Sequence, residues 1–154
     1  MRRRRPDRRT ILPDTKYGDL SVAKFINYIM DSGKKGVAEK IFYSAMEIIQ
    51  SKTKTDGLKI FKKGIENTSP SVEVKSRRIG GATYQVPIEV PRKRGFYLAA
   101  LWIIKASNNS SGKPMAEKLA SELIAAANGD GNAIKKKEDT HRMADANKAF
   151  AHFR

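Results

Sequence analysis

Residues 72–90, VEVKSRRIGGATYQVPIEV, constrain the fold of this chain more than any other stretch. Two runs of β-formers flank Gly80-Gly81, a hairpin signature. Near the base the side chains are largely apolar: Val72, Val74, Val86, Ile88 and Val90. Toward the tip stand Lys75, Arg77, Arg78, Thr83, Tyr84 and Gln85. Alternation favours a three-residue loop, Gly80 to Ala82. That register sets Val74 opposite Ile88 and Ser76 opposite Val86, and it gathers the valines on one face with Tyr84. A two-residue loop would mix valines with Glu89 and Gln85. A lone two-stranded ribbon is marginal in water, so its apolar base must rest on a larger body. A basic tip projecting from such a body suits a groove in RNA or DNA. The bland alternative is a solvated surface hairpin.

The rest of the chain reads as helical. Val22, Phe25, Ile26, Ile29 and Met30 recur at helical spacing after Asp19 or Ser21 as N-cap. Gly33-Lys34-Lys35-Gly36 breaks that pattern. A second helix reaches about Ser51, with Ala38, Ile41, Phe42, Ala45, Ile48 and Ile49 on one stripe. Asp56 caps a third, which turns Leu58, Phe61 and Ile65 inward and cannot continue through Pro70. After the stem Pro91-Arg92-Lys93-Arg94 comes FYLAALWIIKA, apolar on nearly every side, so it belongs at the centre of a bundle, with Trp102 in the core in preference to the alternative of a base-stacking platform. Asn108–Gly112 is a loop. Pro114 opens a fifth helix at its first position, Gly129 stops it, and Asn132 or Asp130 caps a sixth. That last segment is mostly polar, with Ile134, Met143, Ala144 and Phe150 to bury, and should lie along the surface.

The expected fold is therefore mainly α: a single bundle of about six helices with a protruding two-stranded β-hairpin and a disordered basic N-terminal arm. Residues 1–16 form that arm, and residues 17–154 form one helical domain with the hairpin at 72–90. The arm carries six arginines within nine residues, and arginine forks match phosphate geometry. Pro6 and Pro13 oppose helix there, and like charges repel, so the arm should order on a polyanion.

Charge then narrows the partners. Lys and Arg number 31 against 16 acids, a net charge of +15 that concentrates and steers polyanions. There is no apolar run of transmembrane length and no secretory signal core, so no membrane partner is expected. Cysteine is absent, which removes disulfide and thiol chemistry. No GxxxxGK or GxGxxG pattern occurs. The two histidines, His141 and His152, lack partners spaced for zinc. Ser32-x-x-Lys35 and Ser51-x-x-Lys54 stand without the companion motifs of a serine nucleophile. No acid pair lies in apolar sequence as a tuned dyad requires. No enzyme, cofactor or metal is expected.

Four basic clusters remain. The arm supplies Arg3, Arg4, Arg5, Arg8 and Arg9; a loop supplies Lys34 and Lys35. The hairpin and its stem supply Lys75, Arg77, Arg78, Arg92 and Arg94. The last helix supplies Lys135, Lys136 and Lys137, with Arg142 further along. Any one alone is ordinarily a solvated patch. Four on loops, ends and a projecting ribbon read as a distributed phosphate-binding surface. Tyr84 could stack on a nucleotide, although the register above turns it toward the apolar face.

The hairpin, together with ILPDTKYGD and KKKEDTHRMADANKAFAHFR, closely resembles the small-subunit ribosomal protein seven family of bacterial and organellar type. The resemblance covers essentially the whole chain. It implies a helical body with a protruding hairpin, binding to the 3′ major domain of small-subunit ribosomal RNA, and a primary role in assembling the head. It further implies a place at the exit site near transfer RNA and messenger RNA, with ribosomal proteins nine, eleven and thirteen as neighbours, in the cytoplasm or an organelle. By motif match it extends RNA contact to Arg3, Arg4, Arg5, Lys34, Lys35, Lys75, Arg77, Arg78, Arg94 and Lys136. From composition alone, the competitors are a DNA-binding architectural protein with a β-ribbon arm and an enzyme acting on RNA.

Overall fold

The computed structural model describes residues 10–153. The elements run α1 (Leu20–Ile29), α2 (Lys35–Thr53), α3 (Gly57–Thr68), β1 (Val72–Ile79), β2 (Ala82–Glu89), α4 (Arg92–Asn109), α5 (Met115–Ala127) and α6 (Asn132–Ala146). A 3₁₀ helix, Lys148–Phe153, closes the described chain. The expected mainly α fold with one antiparallel hairpin is thus observed. The arginines of residues 1–9 lie outside the described residues. The chain divides into two compact units, one ending at Lys40 and the other beginning at Ile41.

In the first unit a turn leads into α1. The Asp14 carboxylate accepts the backbone N–H groups of Lys16 (3.1 Å) and Tyr17 (3.0 Å), while its carbonyl accepts that of Gly18 (2.8 Å). Asp14 is buried, so the stretch read as an arm to residue 16 already holds an ordered turn. Asp19 then caps α1 as expected, accepting the Ser21 N–H at 2.7 Å. Val22, Phe25 and Ile26 are buried, matching the periodicity.

In the second unit α3 packs on α4 and α5, α4 packs on α5 and α6, and the hairpin rests on α6. The core draws Phe42, Met46 and Ile49 from α2, Phe61 from α3, Ile103 from α4, and Leu119 and Leu123 from α5. Phe42 and Phe61 meet edge to face with centroids 5.3 Å apart, an arrangement worth about 0.5–1.5 kcal/mol beyond area burial. Asn67 donates to the carbonyls of Ala126 (3.0 Å) and Ala127 (3.1 Å), tying the end of α3 to that of α5. Gly129 ends α5 with φ +82°, and the bonds Asp130 N–H to Ala125 O and Gly129 N–H to Ala126 O complete a Schellman motif.

Several expectations are corrected. Pro114 occupies the N-cap position of α5, one residue before its first helical turn. Helix α4 begins at Arg92, so the supposed stem is helical. Trp102 is only part-buried and Leu101 is 43% exposed, so one face of α4 reaches solvent and Trp102 leaves the core. Met143 is exposed; Ile134 and Ala144 are buried as expected, and Ala133 and Thr140 of α6 are buried with them. The cap of α6 is neither Asn132 nor Asp130. Gly131 takes that position, and the Ala133 N–H finds the Glu122 carboxylate of α5 at 2.8 Å.

Hairpin register is the largest correction. The strands pair Val72 with Glu89, Val74 with Pro87, Lys75 with Val86, Arg77 with Tyr84 and Ile79 with Ala82. The loop is therefore the two residues Gly80 and Gly81, at φ +57° and +90°. Two consecutive positive φ values define a type I′ turn, whose twist matches that of the strands. The valines accordingly divide between faces. Val86 is fully buried on the face of Glu73, Lys75, Arg77 and Tyr84, while Val72 and Val74 are half-buried on the other.

Candidate nucleic-acid interface

From Lys75 outward, β1 is exposed through Ile79, and the turn and Thr83 are exposed as well. Alternation points Lys75 and Arg77 to one face and Arg78 to the other, so the tip presents cations on both sides. Its base is held in two ways. The Ser71 N–H donates to Nε2 of His141 on α6 at 3.2 Å. The Tyr84 ring lies 5.3 Å from that of Phe150 in the 3₁₀ helix, at an interplanar angle of 55°. Tyr84 is thus half-buried against the protein's own chain and offers less of its ring to a nucleotide than a free platform would.

The correct register brings Glu73 onto the buried face, where a carboxylate requires partners. Oε2 accepts from Nε (3.3 Å) and Nη2 (3.2 Å) of Arg94, and Oε1 lies 3.4 Å from Nζ of Lys75. The Arg94 guanidinium also sits over the Tyr97 ring at 5.3 Å, a cation–π arrangement. Glu73 therefore gathers two cations of the expected set at the ribbon base. Their side chains remain 57% (Lys75) and 45% (Arg94) exposed, so both still face solvent. Glu73 stands outside the basic set that the sequence picks out. A two-residue turn would have flagged it, because that register places an acid opposite Ile88 and next to Val86.

The other clusters share a placement that the sequence did not reveal. Lys34 and Lys35 open α2, Arg92, Lys93 and Arg94 form the first turn of α4, and Lys135, Lys136 and Lys137 follow directly on the first turn of α6. None of these first turns contains an acid. A helix N-terminus carries a positive partial charge, so each cation there is disfavoured by about 0.3–1 kcal/mol at low salt. At the starts of α2 and α4 the helix dipole and the side-chain cations together attract phosphate, whereas the N-terminus of α6 already holds the Glu122 carboxylate, which accepts the Ala133 N–H at 2.8 Å. Lys35 is partly offset by Glu39, 3.7 Å away.

One expected contact is committed inside the fold, and another is only loosely paired at the surface. Lys137 Nζ donates to the Asn67 carbonyl at 2.6 Å, supporting the end of α3. Arg142 is exposed and lies only at the limit of ion pairing with Asp139, 4.0 Å away. Arg77, Arg78, Arg92, Lys135 and Lys136 are exposed. Arg3, Arg4, Arg5, Arg8 and Arg9 belong to the stretch that the structure does not describe. Among the described residues, no cluster of three or more His, Asp or Glu is arranged to hold a metal ion, and no helix is long and apolar enough to cross a membrane.

Comparison with known proteins shows the family. Residues 1–148 match the family model described as ribosomal protein S7p/S5e. The chain is 58% identical over 154 residues to the small ribosomal subunit protein uS7 of Thermotoga maritima, covering 100% of this chain and 99% of that one. It is 57% identical over 153 residues to uS7 of Gemmatimonas aurantiaca, covering 99% and 98%, and 54% identical over 153 residues to uS7 of Novosphingobium aromaticivorans, with the same coverage. With a family model matched over nearly all its length and such identities end to end, the chain belongs to the ribosomal protein S7p/S5e family.

Proposed function

We propose that this protein is a non-catalytic structural constituent of the small ribosomal subunit. In this reading it binds the 3′ major domain of small-subunit ribosomal RNA and promotes assembly of the head. It then lies at the exit site, near transfer RNA and messenger RNA, beside ribosomal proteins nine, eleven and thirteen. Family membership supports the ribosomal role. The observation that supports RNA binding is the placement of basic clusters at the starts of α2 and α4, where they weaken the helices but suit phosphate, with the exposed Lys135 and Lys136 of α6 beside them in the set. The exposed arginines of the ribbon tip add a fourth contact region.

The competing DNA-binding reading is separated by competition at physiological salt. A labelled 3′ major domain fragment is displaced with unlabelled fragment or with duplex DNA of equal length. The fragment should compete at least 100-fold more effectively, within the range that separates specific from non-specific nucleic-acid binding. Equal competition by duplex DNA would assign the basic surface to a generic polyanion site.

A further inference from the structure

A groove between α4 and α6 is not used by any contact described above. Leu101, Trp102, Lys105, Ala106 and Asn109 of α4 line it, facing Asn132 and Lys136 of α6. Its volume is about 310 Å³, at the small end of ordinary ligand clefts. We propose that this groove holds one unpaired nucleobase of single-stranded RNA, stacked on the Trp102 indole with its flanking phosphates between Lys105 and Lys136. The proposal rests on the RNA-binding reading and assigns it a specific pocket.

The chemistry of the lining selects this occupant. Trp102 is part-buried, so its indole is anchored in the protein while part of it remains accessible. Leu101, 43% exposed, extends the apolar floor. Sequence-tolerant stacking on such a surface is how unpaired bases are held. Lys105 and Lys136 are both exposed on the rim, one from each helix, and neither is paired with an acid among the described residues. Asn109 and Asn132 are exposed beside them and supply amide donors and acceptors for a base edge. An acidic peptide would also meet the lysines. However, a peptide helix needs a longer apolar channel than this pocket offers, and the net charge of +15 favours nucleic acid.

Trp102 is the chain's sole tryptophan, so its fluorescence reports on this pocket alone. The full chain is titrated at 50 mM salt with hexaadenylate and hexauridylate, with binding followed in parallel by anisotropy of labelled oligonucleotide. An abasic hexamer supplies phosphates without bases. The expected result is saturable quenching by both base-containing hexamers, none by the abasic one, and loss of quenching in the Lys105→Glu/Lys136→Glu variant. Both substituted side chains are exposed, and an unchanged thermal melt confirms that this variant folds. The proposal is overturned if bound hexamers leave Trp102 emission unchanged, if the abasic hexamer quenches equally, or if quenching survives in the folded double variant. It is also overturned if a Glu-rich peptide quenches where the hexamers do not. Failure of the broader reading looks different: no anisotropy change and no binding of the ribosomal RNA fragment.

Discussion

Glu122 shows how one side chain can set an element that its neighbours in sequence do not. It is buried, its Oε1 accepts the Ala133 N–H at 2.8 Å, and a Cβ on Gly131 would come within 2.9 Å of the same oxygen. Gly131 has φ +99° and ψ 171°, a region that is essentially restricted to glycine. Glu122→Ala should therefore destabilise the protein by about 1–2 kcal/mol through loss of the cap on α6, with Glu122→Gln restoring most of it because an oxygen acceptor remains. Chemical denaturation of the two variants checks this ordering. Glu73→Gln tests the ribbon base. It should cost about 1–2 kcal/mol, discounted for the exposure of its partners, yet tighten RNA binding at low salt, since it removes a negative charge beside Lys75 and Arg94. Weaker binding at unchanged stability would assign Glu73 a direct role in RNA recognition. Trp102→Ala, at a part-buried site, should cost less than the ~3–5 kcal/mol of a full aromatic core truncation. Neither Glu122 nor Glu73 is legible from local pattern. Glu122 acts on a helix 11 positions away, and Glu73 depends on Arg94, 21 positions away.

At the level of elements, the helices were readable because periodicity and caps agree. Asp19 and Asp56 cap where expected, and the stripes of α1, α2 and α3 are the buried ones. Gly80-Gly81 marks the hairpin in the sequence, but alternation of the valines points to a different register from the one that the preference of Gly-Gly for a type I′ turn imposes. A buried Glu73 is tolerable only when its cationic partners are known. Likewise FYLAALWIIKA read as a central helix, since composition alone does not show that Leu101 and Trp102 border an open groove. The corrected register sharpens the test of the ribbon. Replacing Arg78–Thr83 by Asn-Gly preserves the Arg77–Tyr84 pair and the contact of Tyr84 with Phe150. Because the deleted residues are exposed, stability should change by no more than about 0.5 kcal/mol. Most ribosomal RNA affinity should persist, with the defect appearing as altered transfer RNA retention or frame maintenance on reconstituted subunits. Val86→Asp should do the reverse. It places an unpaired charge at a fully buried site, and the thermal melt should collapse together with ribbon order. Loss of head assembly by the shortened but folded ribbon would make the tip a primary RNA anchor.

For the whole molecule, the charge of +15 is distributed over helix starts, the ribbon and the arm sequence. Such a surface gains affinity by releasing counterions from phosphates, so each contact adds to the salt dependence. The family assignment was legible in the sequence because long motifs span the chain. The division of labour among the cations was not. Lys137 reads as one of three equivalent lysines, yet its ammonium caps α3 at 2.6 Å. The most direct test of a phosphate-dominated ribosomal RNA interface is the affinity for the 3′ major domain fragment as a function of salt. With on the order of 6–10 phosphates neutralised, binding should weaken by about 10³–10⁵-fold between 50 and 200 mM salt. A nearly flat titration over that range would contradict it.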